Sequence, residues 1–230
     1  MVNLVCPQDK LPLTSDLKCP KGHVYRQIDG IYDFLLGEPK NSDVLEKVAP
    51  FYEGIYAPLG FLITGRTRYS TILREAGFYS SGEEFLDIGT GPGKIFDYVS
   101  CQQCYGLDIS LRFLRILKRN RKNVTPIRGD AMSLPFSDES FSGASAMFVI
   151  HMLSDPVQAL SEMSRVLKRK GRCSLGLLTK NGWVANLLAK WWKLELRSES
   201  FYIGLIERSG LKVTGEKQMG PWSLLKCEKT

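Results

Sequence analysis

The chain has 230 residues, 43% hydrophobic and 24% charged, with a formal net charge of +7; this suits one substantial globular domain with a small appendage. No apolar run reaches the ~18 residues of a spanning helix, and MVNLVCPQDK lacks a charged region leading into an apolar stretch, so neither a membrane span nor a secretory leader is expected. The six scattered cysteines argue for reduced thiols or a metal site in a cytoplasmic protein, not a secreted disulfide framework.

Residues 1–37 are punctuated by cysteine, proline and glycine, with short extended pieces such as HVYRQIDGIYDFL. Cys6-x-x-Asp9 and Cys19-x-x-x-His23 supply four ligand atoms of the kind that close a tetrahedral structural zinc site. The other reading is a ribbon held by Val5, Leu17, Tyr25 and Ile31, with Cys6 and Cys19 as free thiols. Residues 38–80 read as a helical cap, EKVAPFYEGIYAPLG and TGRTRYSTILREAG, cut by Pro50 and Pro58. Tyr52 and Tyr56 are candidate pocket-lining aromatics there, and Tyr52 a candidate catalytic phenol.

From residue 83 strand and helix patterns alternate. FLDIG is the first strand, and KIFDYVS opens its crossover helix. YGLDIS, VTPIRGD and FSGASAMFVIHML are the next strands, with helix LRFLRILKRN after YGLDIS. A helix capped by Ser154/Asp155, with Pro156 in its first turn, closes at Lys170-Gly171 before strand CSLGLL. Helix FYIGLIERSG leads to a terminal hairpin, LKVTGEKQM and WSLLKCEK. The expected fold is α/β: a doubly wound, mostly parallel seven-stranded sheet with an antiparallel C-terminal hairpin strand, over residues 81–230.

The loop Gly89-Thr90-Gly91-Pro92-Gly93 fits neither common phosphate binder. A P-loop needs Gly where Ile88 stands and Ser or Thr where Ile95 stands; a dinucleotide loop needs its third glycine at Lys94. Pro92 also removes one N–H from any phosphate cradle. What the strand ends offer instead is three acids: Asp87 beside the glycines, Asp108 nineteen residues after Gly89, and Asp130. Asp108 is spaced to grip ribose hydroxyls, and Asp130 can accept from an exocyclic amine. An adenosine with a cationic tail and no phosphate suits all three, and S-adenosylmethionine is such a molecule.

FLDIGTGPG, YGLDIS, RGDAMSLPFSDESF and ALSEMSRVLKRKGR, in that order over about residues 83–178, resemble the class I S-adenosylmethionine-dependent methyltransferases, in particular the family of the ubiquinone/menaquinone-biosynthesis enzymes. The resemblance implies a Rossmann-like fold. It places Asp87, Gly89, Gly91 and Gly93 against the methionine part, Asp108 on the ribose, Ile109 against adenine, Asp130 on the adenine amino group, and the Ala131 N–H on the ring. Family members often carry Asp after the Phe that opens the fourth strand; here Ser142 stands there. His151, just past that strand, is the candidate general base, against a packing or hydrogen-bonding role. The Asn/Asp-Pro-Pro-Tyr/Phe signature for exocyclic amines is replaced by Phe148-Val149-Ile150-His151.

CPKGHVYRQIDGIYDFL resembles the zinc ribbon of large-subunit rRNA guanine-N1 methyltransferases and the small zinc-ribbon proteins that partner other methyltransferases; Asp9 stands where that pattern usually has cysteine. Cys101-x-x-Cys104 reads as a core pair more than a redox pair. NGWVANLLAKWWKLELR reads as an amphipathic helix with Trp183, Leu187, Trp191 and Leu194 on one side: a lid over an apolar substrate, a peripheral membrane contact through 183–197, or a helix packed on the domain. The cations of RFLRILKRNRK are a solvated helix face or a footprint for RNA. Three functions stay open: a methyltransferase of a small or apolar acceptor, an RNA methyltransferase, and a non-catalytic adenosylmethionine-binding partner protein.

Overall fold

The structure is a computed structural model that describes residues 2–37, 51–192 and 194–230, with the side chains of Tyr52, Tyr56, Trp191 and Trp192 outside the described part. The portion of the helical cap before residue 51, Pro50 included, thus lies outside the described residues.

A single mixed sheet organises the chain. Two short strands from the N-terminal segment, β1 (Arg26–Ile28) and β2 (Ile31–Asp33), form an antiparallel pair. The parallel centre is β3 (Glu84–Ile88), β4 (Gln103–Asp108), β5 (Val124–Arg128), β6 (Phe141–Met147) and β7 (Leu167–Leu178). β8 (Leu211–Met219) and β9 (Trp222–Lys229) close the chain as a hairpin, with β9 inserted antiparallel beside β7. The order is β1-β2-β5-β4-β3-β6-β7-β9-β8. Order reverses at β3, so the crevice beyond the tips of β3, β4 and β6 is where such a sheet receives a ligand.

The helices are α1 (Ala57–Gly65), α2 (Tyr69–Ser80), α3 (Leu111–Asn120), α4 (Pro156–Val166), α5 (Gly182–Trp192) and α6 (Glu199–Arg208). α3 begins because the Ser110 hydroxyl accepts from Phe113 N at 3.3 Å, and it buries Phe113, Leu114 and Leu117 against the sheet. α4 opens as expected, the Asp155 carboxylate accepting from Gln158 N at 3.0 Å with Pro156 at its start.

Several expectations need correction. No crossover helix grows from KIFDYVS: the glycine bend consumes the chain to Gly93, and only a four-residue 3-10 turn, Lys94–Asp97, fits before β4. α4 stops at Val166 rather than Lys170-Gly171; β7 has already begun there, with Lys170 left-handed at φ 59° inside a register shift. Cys101 and Cys104 are joined as a disulfide, because the turn between them brings their Cα atoms to 5.7 Å, within bridging range; Cys6, Cys19, Cys173 and Cys227 are free thiols.

The ribbon is also more than an appendage. β2 pairs in parallel with β5, Tyr32 opposite Ile127 and Asp33 opposite Arg128, and Cys6, Cys19, Tyr25 and Phe34 share one buried cluster with Ile127, Leu134 and Phe136. Ribbon and catalytic-type domain therefore make one sheet and one core, nine strands instead of seven.

Candidate functional site

The glycine bend follows β3 directly. Gly89, Gly91 and Gly93 all have positive φ (68°, 54° and 93°), conformations that cost a side-chain-bearing residue roughly 1–2 kcal/mol each. Their surroundings differ. A Cβ on Gly89 would meet Val149 at 2.8 Å and one on Gly93 would meet Leu117 at 2.1 Å, whereas one on Gly91 would meet nothing within 4 Å. The bend presses on protein at both ends and is open in the middle, where a ligand can approach the backbone.

Asp108, at the tip of β4, ties two loops together: Oδ2 accepts from Gly91 N at 2.8 Å and Oδ1 from Ser110 N at 2.9 Å. Each oxygen keeps lone-pair capacity for a ribose hydroxyl. Ile109 beside it is 47% exposed, an apolar surface available to a flat ring. One loop along, Asp130 Oδ1 accepts from Met132 N at 2.8 Å, which fixes its turn, and Ala131 is buried. The loops after β4 and β5 also meet through Gly129 N, which donates to the Asp108 carbonyl at 3.1 Å.

Asp87 lies beneath the bend, buried, with Oδ1 accepting from Ser145 Oγ at 2.5 Å. Burial pushes its carboxyl up to about 7, only partly offset by Ser145 and the nearby Thr90 hydroxyl. A carboxyl buried with no cation beside it among the described residues, under an open glycine, is what a positively charged ligand would complete by favouring loss of its proton. The residues fit an adenosyl sulfonium and offer no basic group placed for a pyrophosphate.

Ser142, the departure from the family pattern, takes over a local supporting role: its hydroxyl accepts from Glu84 N at 3.1 Å and donates to the Glu84 side chain at 3.1 Å. His151 is 9% exposed, and its Nδ1 accepts from Leu178 N at 3.3 Å. Burial drives its pKa down to about 3, so the ring is neutral with its proton on Nε2: a donor into the site, not a proton acceptor. The sequence shows a histidine past β6 but not that its second nitrogen is taken by a residue on β7. Tyr52 starts a five-residue π-helical turn, Tyr52–Tyr56, just before α1, and its side chain lies outside the described part.

In the ribbon, ligand atoms of Cys6, Asp9, Cys19 and His23 lie within 4.8 Å of one another. Asp9 Oδ2 is their hub, at 3.4 Å from Cys6 Sγ, 3.2 Å from Cys19 Sγ and 2.8 Å from His23 Nδ1, and Cys6 Sγ is 3.6 Å from His23 Nδ1. Metal bonds of about 2.0–2.3 Å in a tetrahedron imply ligand separations of roughly 3.3–3.8 Å, so the set fits a zinc-type ion with little movement. A hydrogen bond from the Cys19 thiol, opposed by burial, holds the Asp9 carboxyl down at about 2, so it is an anionic ligand.

Residues 86–175 match the family model for the methyltransferase domain. The demethylmenaquinone methyltransferase of Paenarthrobacter aurescens is 33% identical over 140 residues, 57% of this chain and 52% of the relative. The chain spans about half the length of the curated relatives it matches. A chain from the complex of the Haloferax volcanii Trm112 methyltransferase activator superposes with a TM-score of 0.69 at 16% identity, over 83% of this chain and 99% of that one. Geranyl diphosphate C-methyltransferase from Streptomyces coelicolor A3(2), solved with Mg2+, geranyl diphosphate and S-adenosyl-L-homocysteine, superposes at 0.62 and 14% identity, over 85% and 87%. These low identities speak to fold alone. Fold and domain match agree: residues 86–175 match a methyltransferase domain, within a fold shared with solved S-adenosylmethionine-dependent methyltransferases.

Proposed function

We propose that the chain transfers a methyl group from S-adenosylmethionine to a small, apolar acceptor. The observation that carries the reading is the glycine bend after β3, open at Gly91 and tied by its Gly91 N–H to Asp108, on a chain whose residues 86–175 match a methyltransferase domain. Bound there, the cofactor supplies a methyl already activated by its sulfonium. The chain's task is then alignment and exclusion of water, which can contribute up to roughly 7–11 kcal/mol. Asp108 holds the ribose, Asp130 and the Ala131 N–H hold the adenine, and Asp87 balances the positive end from below. His151, neutral, donates from Nε2 and orients the acceptor. Cys6, Asp9, Cys19 and His23 hold a structural zinc ion.

Demethylmenaquinone, in the name of the Paenarthrobacter relative, supports an apolar ring compound as the acceptor class. α5 supports it, since Trp183 is 76% and Leu187 59% exposed while Ala185 is buried beneath them. Trp183 and Leu187 thus face out, with Lys180 and Lys190 also exposed, an arrangement suited to collecting an apolar acceptor at an anionic membrane surface. No helix among the described residues is long and apolar enough to cross a membrane. The RNA reading loses ground because cations of α3 and its end are engaged within the chain: Arg115 with Asp29 at 2.9 Å, Lys118 with the Asp29 carbonyl, Arg121 with Glu53 at 3.1 Å.

The test is methyl-labelled cofactor offered with quinols, phenols, thiols and RNA. Label in an extractable apolar product is expected. Label in RNA alone would replace this reading, and binding without transfer in any lane would leave a non-catalytic partner.

A further inference from the structure

The ribbon grips the nucleoside side of the crevice in two places. On one side Arg128, buried between β5 and β2, donates from Nη1 to Asp33 at 3.3 Å and from Nε to the Ile109 carbonyl at 3.1 Å, bracing the segment that follows Asp108. On the other, the knuckle between Cys6 and Asp9 reaches the segment that follows Asp130. The Pro7 carbonyl accepts from Ser133 Oγ at 2.6 Å. Lys10 Nζ donates to the Leu134 carbonyl at 3.2 Å and to Glu162 Oε2 at 2.7 Å, and the same Glu162 oxygen accepts from Leu134 N at 2.7 Å. Lys10 is itself tied back to the knuckle, its N–H donating to the Cys6 carbonyl at 2.8 Å. Glu162 is buried, so this clasp is a fixed part of the fold, not a surface pair.

Two of the clasp's three anchors, Pro7 and Lys10, flank metal ligands in sequence. The knuckle is short and irregular, and ordering each of its residues costs conformational entropy unless something fixes it beforehand. We propose that metal held by Cys6, Asp9, Cys19 and His23 sets the affinity of the adenosyl site, by holding Pro7 and Lys10 against Ser133 and Leu134 and so fixing the Asp130–Ala131 turn. Lys10 is then a positioning residue for a cofactor it does not touch. The inference rests on the reading that the crevice takes S-adenosylmethionine and the ribbon takes zinc.

The full chain, loaded with zinc or stripped by a chelator, is titrated calorimetrically with S-adenosylhomocysteine, and amide hydrogen exchange is followed at 130–135. Stripping should weaken binding about 5- to 10-fold and speed exchange in that segment. Lys10→Met, zinc-loaded, should show the same loss, with little more on stripping, and Lys10→Arg should recover much of it. If Lys10→Met does not fold, Ser133→Ala, which removes the bond to Pro7 and the longer one from Lys10 Nζ, gives the same comparison. Equal affinity and equal exchange with and without zinc, failure of the ribbon to bind zinc, or an affinity loss that tracks global unfolding would overturn the coupling while the cofactor reading stands. Failure of the zinc-loaded wild type to bind at all would remove the cofactor reading and this inference with it.

Discussion

Asp87 and His151 carry opposite pH signatures, both set by burial. The Asp87 carboxyl, at about 7 against an ordinary 3.8, keeps its proton in the folded chain where the unfolded chain has released it. Stability from this group therefore falls as pH rises from about 4 to 7, by at most about 4 kcal/mol. Asp87→Asn should show a stability gain over wild type that is absent near pH 4 and largest above pH 7 in chemical denaturation, yet bind S-adenosylhomocysteine more weakly. Because a cationic ligand favours the Asp87 anion, binding to the wild type at pH 6.5 should release protons, read as a buffer-dependent heat. His151 runs the other way: depressed to about 3, it stays neutral where the unfolded chain is protonated, so its contribution is lost as pH falls from 6.5 toward 3. His151→Gln should blunt the acid sensitivity, and no ionisation of His151 should shape the rate between pH 5 and 8. At this scale the sequence was most legible. The glycines and acids follow from local strand-to-loop chemistry, while the occupation of His151 Nδ1 depends on Leu178, 27 residues away.

Elements were legible where their signals were local. The Asp155 cap and the span of α3, Leu111–Asn120, read correctly because each is decided within one or two turns. α4 was read too long, since β7 pairing with β6 begins at Leu167 and overrides the Lys170-Gly171 stop. For α5 the sequence left lid, membrane contact and packed helix open, because periodicity shows that a helix has a face but not what it meets; Trp183 and Leu187 are exposed. Two consequences can be measured. The buried Asp33–Arg128 pair joins β2 to β5, so Asp33→Asn, which removes the negative charge facing the guanidinium, should cost about 3–5 kcal/mol of stability in denaturant unfolding. Trp183→Ser with Leu187→Ser, both exposed, should change stability by no more than about 0.5 kcal/mol each, but should raise KM for an apolar acceptor and reduce retention on anionic vesicles.

The whole molecule is where sequence reading fell shortest. Patterns marked residues 1–37 as separate, and nothing local reveals that β2 adds to the β5 edge or that Tyr25 and Phe34 join the core beside Phe136. Long-range pairing of this kind is fixed by the sum of many contacts. A chain lacking residues 1–37 would bare the β5 edge and that apolar surface, and is expected to aggregate rather than melt cooperatively. The sheet reversal at β3 then sets the crevice on which the functional reading depends. Calorimetric titration of S-adenosylhomocysteine into wild type and Asp108→Ala at neutral pH probes that crevice. Saturable one-site binding by wild type, weakened about 10- to 100-fold in the variant by loss of a charged hydrogen-bond acceptor, is the predicted result; no binding by wild type, or equal binding by both, would refute it.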